Sequence, residues 1–316
     1  MERKAINFKT IYCKYESRML NAAVSLMLML VMLAFAAVPA MVYAEDSEGS
    51  KPDMPQISVA VKGDGLAVRW KPVDGADSYA VYRSYRKTTG WRLLKNGVTG
   101  RAYRDRTVGS GKKAYYKVRA LKADGSRSRL SKPVSGIIYR VYVETGHGTR
   151  ASGAWSPGCA WGGYQEAKLM IPICKSVTKY LRAKGVYVYT DAYDGNNRNL
   201  DYSIPFVKKH DVSVFLNVHC DYQYAPGGTL PLYRYNDQRQ LAVCLNKGVH
   251  KYVKIRDRGL SKRTDLETLN NTPGYCVACL FEVGSIKNDN RLLLTKYNAL
   301  GKGLARGICD YLGIDW

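Results

Sequence analysis

Two histidines and two glutamates are the residues whose types and placement suit hydrolytic chemistry. His147, His219 and Glu282 each come at the end of an apolar run, and Glu166 opens an amphipathic segment. Two imidazoles and one carboxylate, with a fourth position open, are typical ligands of a catalytic zinc ion. A remaining carboxylate can then serve as the base for metal-bound water.

Each of these residues also has a structural explanation. A histidine at a strand end is commonly a hydrogen-bonded framework residue. Glu166 alone would be a carboxylate that stabilises the first turn of a helix, and Glu282 alone would be a partner for an arginine. The four positions form no local motif, so their spacing leaves both interpretations open.

Alternating strand and helix patterns must position these four residues. The apolar periodicity predicts strands at 137–143, 186–189, 212–218 and 275–281, and helices at 166–184, 240–253 and 292–312. This alternation predicts an α/β domain over residues 139–316, with a mixed, largely parallel sheet flanked by helices. Ligand sites in such sheets lie beyond the carboxyl ends of the strands, so His147, His219 and Glu282 are expected to meet there.

Residues 53–138 show a different pattern. Short segments with period-two alternation are separated by Gly and Asp turns, which predicts an all-β sandwich. From the strand of Trp70 through Tyr116–Ala120 to Pro133–Ser135, this segment resembles a fibronectin type III domain. Trp70 is expected in its core. The segment has no His and no Cys, so its expected role is that of a spacer or a wall-attachment module.

The first 44 residues have the pattern of an export signal. Basic residues precede an uncharged stretch from Ala22 to Ala44, which ends in small residues before a linker at 45–52. We expect cleavage after Ala44; left uncleaved, the stretch would instead be a membrane anchor. Either outcome predicts a protein that acts outside the cytoplasm, secreted and associated with the cell wall.

The formal net charge of +23 predicts a polyanionic partner. Export excludes nucleic acid as the natural partner, and membrane contact is expected only through an uncleaved signal. Residues 51–138 hold 20 basic and 6 acidic side chains, so the sandwich is the more basic part of the chain. It is expected to bind anionic wall polymers, with a solvated, solubilising surface as the alternative.

The cysteines after the signal number seven, all in the C-terminal part: Cys159, Cys174, Cys220, Cys244, Cys276, Cys279 and Cys309. An odd number leaves at least one thiol unpaired or bridging two chains, and a sequence does not determine connectivity. Two of them form a C-x-x-C on a predicted buried strand. Side chains three positions apart on a strand point to opposite faces, so burial as small apolar residues is their expected role, with a redox or metal role as the alternative.

Four ordered segments resemble a known enzyme family. They are Glu144–Gly148, Gln165–Leu169, Phe215–Asp221 and Leu280–Asn288. With Arg256–Gly259, they are similar to the zinc-dependent N-acetylmuramoyl-L-alanine amidases of the amidase-3 type. The order His, Glu, His, Glu matches, and four ordered motifs are far more specific than any one of them.

The resemblance implies a zinc ion held by His147, Glu166 and His219, with Glu282 as the catalytic carboxylate. It implies hydrolysis of the amide bond between N-acetylmuramic acid and L-alanine in peptidoglycan, by a protein that we expect to be a monomer. The family has Asp where Glu144 stands, so the support of the first histidine is expected to differ.

The segment between the first histidine and Glu166 is long for the family and carries Trp155 and Trp161. It would be either a substrate lip or a packing element. The aromatic residue expected after Glu282-Val283-Gly284 is replaced by Ser285. These departures bear on substrate detail more than on the metal ligands.

Two other functions stay open at this point. A catalytically inactive wall-binding protein would keep the amidase fold without turnover, although the presence of all four site residues argues against it. A zinc peptidase or amidase would use the same ligands on another amide. In each case the basic sandwich would still be available to bind anionic wall polymers.

Overall fold

The computed structural model describes residues 51–193 and 197–316. The expected signal at 1–44 and residues 45–50 of the expected linker lie outside the described residues. Lys51–Trp316 form one compact unit. Within the described ranges, no helix is long and apolar enough to cross a membrane.

Seven short strands form the N-terminal part of this unit, in two antiparallel sheets. The strands are β1 (Ile57–Lys62), β2 (Gly65–Trp70), β3 (Ser78–Ser84), β4 (Arg92–Val98), β5 (Ala102–Asp105), β6 (Ala114–Leu121) and β7 (Val134–Gly136). The order is β1-β2-β5 in one sheet and β4-β3-β6-β7 in the other. On β6, buried and half-buried residues alternate, as expected for a strand with one face on a core.

The two sheets share one hydrophobic core. Val68 and Trp70 of β2 pack in the same cluster as Val81 of β3 and Tyr116 of β6. Trp70 is therefore a core residue, as the sequence predicts. The assignment of this β-sandwich to the fibronectin type III family stays a prediction, as does the domain boundary at 138/139.

The C-terminal part combines a six-stranded sheet with six helices. The sheet strands are β8 (Arg140–Thr145), β13 (Tyr187–Thr190), β14 (Val214–Asp221), β15 (Leu230–Tyr233), β16 (Ser261–Lys262) and β17 (Val277–Ser285). The helices are α1 (Glu166–Ala183), α2 (Leu200–Lys209), α3 (Asn236–His250), α4 (Glu267–Asn270), α5 (Asn290–Thr295) and α6 (Tyr297–Leu312). Four two-residue strands lie between β8 and α1: β9 (Gly148–Thr149), β10 (Trp155–Ser156), β11 (Ala160–Trp161) and β12 (Tyr164–Gln165).

The sheet has the order β13-β8-β14-β17-β15-β16. Its first four strands are parallel, and β15 runs antiparallel to β17. Helices α1, α3 and α6 cover one face, while α2 and α4 pack on the other. Strand β8 is buried along its whole length because both faces are covered. The predicted mixed, largely parallel α/β domain is thus confirmed.

Helices α3 and α6 approach each other closely because glycines stand at their contact. A β-carbon on Gly307 would lie 2.5 Å from the α-carbon of Leu245, and one on Gly248 would lie 2.3 Å from the carbonyl oxygen of Gly303. Such distances are far below van der Waals contact, so larger residues would push the helices apart. Helices α3 and α6 pack on the same face of the sheet as α1.

Strands β14 and β17 extend further than the sequence predicts. The predicted strands end at 218 and 281, which would leave His219 and Glu282 just beyond them. In the structure both residues lie inside their strands and are paired with each other across the sheet. A register shift between His219 and Asp221 prolongs the pairing as far as Ser285. The backbone therefore holds these two side chains more firmly than a loop would.

The β-sandwich contacts the α/β domain through polar groups. Arg140, the first residue of β8, donates from its guanidinium to the carbonyl oxygens of Val108 and Asp64 at 3.1 and 3.0 Å. It also donates to Asp211 Oδ2 at 3.1 Å, and the same oxygen accepts from the backbone N–H of Ser110 at 2.7 Å. The Arg140 side chain is only 6% exposed.

Candidate active site

His147 lies in the turn that follows β8, and its backbone has an uncommon conformation. Its φ is 64°, in the left-handed region that residues with a β-carbon rarely adopt. The preceding residue, Gly146, lies directly against the second histidine. A β-carbon there would be 2.5 Å from Cε1 of His219. Glycine at 146 therefore allows the two imidazoles to approach each other.

Glu166 begins α1 and joins the two histidines. Its Oε2 lies 3.2 Å from Nε2 of His147, and its Oε1 lies 2.8 Å from Nδ1 of His219. Two backbone N–H groups also donate to this carboxylate: that of Cys159 to Oε2 at 3.0 Å and that of Cys220 to Oε1 at 3.1 Å. Burial raises the pKa of Glu166, but the hydrogen bonds and charges of the two histidines outweigh it and hold the pKa below its usual value.

These three side chains form a group that could hold a metal ion. One donor atom from each of His147, Glu166 and His219 lies within 4.8 Å of the others. The ring centroids of His147 and His219 are 5.0 Å apart, and the rings meet edge to face. The structure thus brings together the three predicted metal-binding residues, although they are distant in sequence.

A buried polar relay fixes the orientation of His219. Asn217 donates from Nδ2 to Oε2 of Glu144 at 2.5 Å, so its Oδ1 faces Nε2 of His219 at 2.8 Å. Thr268 donates to the same Oδ1, and Ser203 donates to the other oxygen of Glu144. Nε2 of His219 therefore donates to Asn217, and Nδ1 faces the Glu166 carboxylate, where a second proton or a metal ion can lie between the two atoms.

The role of Glu144 differs from the expectation. The sequence linked this residue with the first histidine, whereas the structure connects it through Asn217 to the second. The side chain of Glu144 is fully buried, and burial together with the nearby charge of Asp191 raises its pKa well above the usual value. His147 instead has Ser156 Oγ at 3.3 Å from its Nδ1.

Glu282 is the fourth predicted residue, and it lies next to this group on β17. Its Oε2 is buried and has no hydrogen-bond partner among the described residues. Burial raises its pKa well above the usual value, and the charges of Glu166 and Asp221 raise it further. Arg258 opposes this effect and donates to Asp221 at 2.9 Å. A buried carboxyl oxygen without a partner costs stability, which makes Glu282 a candidate functional residue.

A cleft of about 360 Å³ opens beside the two histidines. Its walls include Asn217 and Thr268 from the relay, and Arg150, Asp201 and Glu267 from the surrounding loops and helices. A cleft of this size is in the usual range for small-molecule and peptide sites. Of these wall residues only Asn217 lies in one of the family-like segments, and the others come from segments without a motif.

The segment between His147 and Glu166 passes directly over the site. A β-carbon on Gly158 would lie 2.5 Å from both Oε2 of Glu166 and Cδ2 of His147. Trp155 and Trp161 in this segment are 39% and 38% exposed. Side chains so exposed are not core packing, which favours the interpretation of this segment as a lip of the cleft.

One protein family matches this architecture. The family model Amidase_3, described as N-acetylmuramoyl-L-alanine amidase, matches residues 141–312, which is more than half of the chain. The chain belongs to the Amidase_3 family. The match spans all four residues of the candidate site, so the family resemblance inferred from the sequence motifs is confirmed.

Two solved structures resemble about half of this chain. Cwp6 from Clostridium difficile shares 24% identity at a TM-score of 0.50, over 55% of this chain and 29% of that chain. The N-acetylmuramoyl-L-alanine amidase AmiC2 of Nostoc punctiforme shares 24% identity at a TM-score of 0.49, over 55% of this chain and 97% of that chain. At such identities, the likeness to Cwp6 shows the fold alone.

A curated relative is similar to a smaller part of this Amidase_3 member. The amylopullulanase of Thermoanaerobacterium saccharolyticum is 29% identical over 104 residues, or 32% of this chain. The match spans 8% of the length of that relative. The activity of the relative is therefore not carried over.

Proposed function

We propose that this chain is a zinc-dependent N-acetylmuramoyl-L-alanine amidase that hydrolyses the bond between N-acetylmuramic acid and L-alanine in peptidoglycan. The observation that carries the proposal is the meeting of His147, Glu166 and His219 in an Amidase_3 domain, beside Glu282, whose buried Oε2 has no hydrogen-bond partner in the described part of the chain. Family and site point to the same chemistry.

The donor set suits zinc. The Nδ1 lone pair of His219 faces a carboxylate oxygen at 2.8 Å, and two acceptors at this distance repel unless a proton or a metal cation lies between them. Two imidazole nitrogens and one carboxylate are a common catalytic zinc set. When bound, zinc would supply Lewis acidity that activates water and polarises the scissile carbonyl.

The remaining chemistry belongs to Glu282. In its ionised form, Glu282 would accept the proton of the attacking water at Oε2, which has no hydrogen-bond partner among the described residues. The same carboxyl would then deliver that proton to the nitrogen of L-alanine as the amide bond breaks. Glu166 has a different role because four groups already surround its two oxygens, which leaves it as a ligand rather than a base.

The first test is digestion of purified peptidoglycan with and without added zinc, using the chain and its Glu282→Gln variant. We expect zinc-dependent release of stem peptides with a free N-terminal L-alanine, read by mass spectrometry. The variant should lose a factor of about 10²–10⁴ in rate while it binds zinc normally, since a base contributes about that much. Asp237→Asn, on an exposed first helical turn, is the matched control and should digest normally.

Two results would contradict this proposal in different ways. Sedimentation with peptidoglycan without any release would indicate an inactive wall-binding protein. Release of fragments cut at another amide would indicate a zinc peptidase or amidase of different specificity. Full activity of Glu282→Gln would remove Glu282 from the role of base.

We further propose that the β-sandwich is a fibronectin type III-like module that binds anionic wall polymers after export of the protein. Support comes from strands β3, β4, β6 and β7, which contain no Asp or Glu. The outward face of this sheet, here called the cationic face, carries Tyr82, Tyr115, Lys117 and Arg119. The ammonium group of Lys117 lies 4.5 Å from the ring centroid of Trp91. Alternating cations and aromatic rings suit a polymer of phosphates and sugars.

Binding to poly(glycerol phosphate) tests this module. The Lys117→Glu/Arg119→Glu variant should lose at least tenfold in affinity in titration calorimetry, because two attractions become repulsions. The control Lys62→Glu/Arg69→Glu makes the same change of charge at exposed positions of the other sheet. Equal loss in both variants would mean that net charge, rather than the cationic face, attracts the polymer.

A further inference from the structure

Two thiols flank the carboxylate of Glu166. Cys159 lies in the segment before α1, and Cys220 follows His219 on β14. The Cys159 thiol donates to the carbonyl oxygens of Cys220 and Asp221 at 3.5 and 3.6 Å. The two sulfur atoms and a Glu166 oxygen all lie within 4.8 Å of one another. Both cysteines are free thiols here.

The other described cysteines are differently placed. Cys276 packs in the core on the α2 side of the sheet, and Cys279 packs in the core on the α1 side. The C-x-x-C therefore separates its two thiols across the sheet, as expected from strand geometry. Cys174 and Cys309 are buried in the core on the α1 side, and Cys244 is half-buried on α3.

We propose that Cys159 and Cys220 are an oxidation site and form a disulfide bond with each other. Sulfur atoms this close need only small side-chain rotations and a slight movement of the segment before α1 to reach the bonding distance of about 2.05 Å. The bond would join the segment before α1 to the end of β14. These are the two places whose backbone N–H groups hold the oxygens of Glu166.

The reaction is thiol–disulfide exchange with a small-molecule disulfide, which the surroundings must provide. Cys159 is the more accessible of the two, so its sulfur attacks the small disulfide, forms a mixed disulfide and releases one small thiol. The sulfur of Cys220 then attacks the Cys159 sulfur and releases the second small thiol. Two protein thiols lose two electrons and two protons, and the small disulfide gains both.

The consequence for Glu166 follows from where the bond lies. The disulfide would join the two residues whose backbone N–H groups bind Glu166, Cys159 and Cys220. The carboxylate of Glu166 would therefore keep its position better in the oxidised protein. A metal ion bound there would leave more slowly from the oxidised protein than from the reduced protein. This consequence rests on the proposed function, whereas the disulfide itself does not.

Peptide mapping after mild oxidation of the folded chain with oxidised glutathione tests the disulfide. We expect a linked pair of tryptic peptides that contain Cys159 and Cys220, with the mass of two hydrogens lost. Cys159→Ser and Cys220→Ser should each abolish the linked pair, and Cys244→Ser should leave it intact. Recovery of both thiols free, while Cys244 is glutathionylated, would overturn the proposal, because the oxidant would then have reached the protein.

Zinc release to a chelating dye is the second readout. We expect release at least threefold slower from the oxidised wild type than from the reduced wild type, with no such difference in Cys159→Ser. If the linked peptides form but zinc never binds, the proposed function fails and the disulfide stands. If zinc binds and the rate of its release does not change on oxidation, the proposed effect of the disulfide on Glu166 is wrong.

Discussion

Glu166 is the residue around which the candidate site is assembled. Two histidines and two backbone N–H groups converge on its oxygens, and it is the best-satisfied carboxylate of the site. Glu282, on the neighbouring strand β17, has a buried oxygen for which the described ranges provide no hydrogen-bond partner. The surroundings thus separate two carboxylates of the same type into one that is fixed and charged and one that is free to exchange a proton.

Asn217 is a positioning residue for His219, and Asn217→Ala is the first prediction. Without the amide, nothing holds the Nε2 proton of His219, so Nδ1 no longer points reliably at Glu166. We expect zinc affinity to fall by about 10–100-fold, the usual cost of losing an outer-shell partner. Competition with a chelating dye measures this. Thr268→Val removes one hydrogen bond to Asn217 and should have a much smaller effect; equal effects would contradict the relay.

The sequence indicated the four proposed site residues, whose roles stay predictions, but it did not indicate the residues that support them. Strand ends and ordered motifs indicated His147, Glu166, His219 and Glu282. Asn217 carried a usable signal, since it lies two positions before His219 on one strand and so shares its face. Ser203 carried none, because its contact with Glu144 depends on how α2 packs on the sheet.

At the scale of elements, the long periodic segments were predicted well and the short ones were not. Helix α2 was missed because it is short and contains Pro205. Its start does have a signal, since Oδ1 of Asn199 accepts from the N–H of Asp201 as a helix cap. Strand β17 was predicted to end before Glu282, because a charged residue is atypical of a buried strand interior.

Gly307→Ala tests the contact between α3 and α6. Alanine normally favours a helix by about 1 kcal/mol over glycine. Here its β-carbon would meet the α-carbon of Leu245 at 2.5 Å, so we expect a net loss of about 1–3 kcal/mol in the free energy of unfolding. Gly274→Ala, where nothing lies within 4 Å of the new carbon, should leave urea unfolding nearly unchanged. A stabilised Gly307→Ala protein would show that the helices separate easily.

Asp105 links three strands of the β-sandwich and predicts a pH dependence. Its fully buried carboxylate accepts from Arg83, Thr107 and Tyr116. Burial opposes the charge, but these hydrogen bonds outweigh it and lower the pKa. The stabilisation is therefore complete above the unfolded pKa of about 3.9 and is lost as the pH falls through the lower folded value.

Asp105→Asn should accordingly cost about 3 kcal/mol near neutral pH, because the Arg83 cation loses its partner. The difference from the wild type should shrink in acid, where the wild-type carboxyl is itself protonated. Urea unfolding across the acidic range measures both effects. Asp53→Asn at an exposed position is the control. If the difference in the free energy of unfolding did not change with pH, the loss of stability would come from altered packing of the side chain rather than from the lost charge.

For the whole molecule, the contact between the β-sandwich and the α/β domain determines whether the two parts act as one. Arg140 reaches from β8 to two carbonyl oxygens of the β-sandwich, and Asp211 connects Arg140 with Ser110. This contact could not be predicted from the sequence, since Arg140 lies in a predicted strand beside a predicted domain boundary. A fixed arrangement would hold a wall-bound β-sandwich at a constant position relative to the cleft.

Arg140→Met is the last prediction, since it keeps most of the side-chain volume and removes every donor. We expect the free energy of unfolding to fall by about 2 kcal/mol, because buried carbonyl oxygens lose their partners. Calorimetry should then resolve two transitions where the wild type shows one, as the β-sandwich and the α/β domain uncouple. Arg150→Met, an equal change on the cleft wall away from this contact, should keep a single transition. One unshifted transition in Arg140→Met would mean that apolar packing around Tyr187 holds the parts together instead.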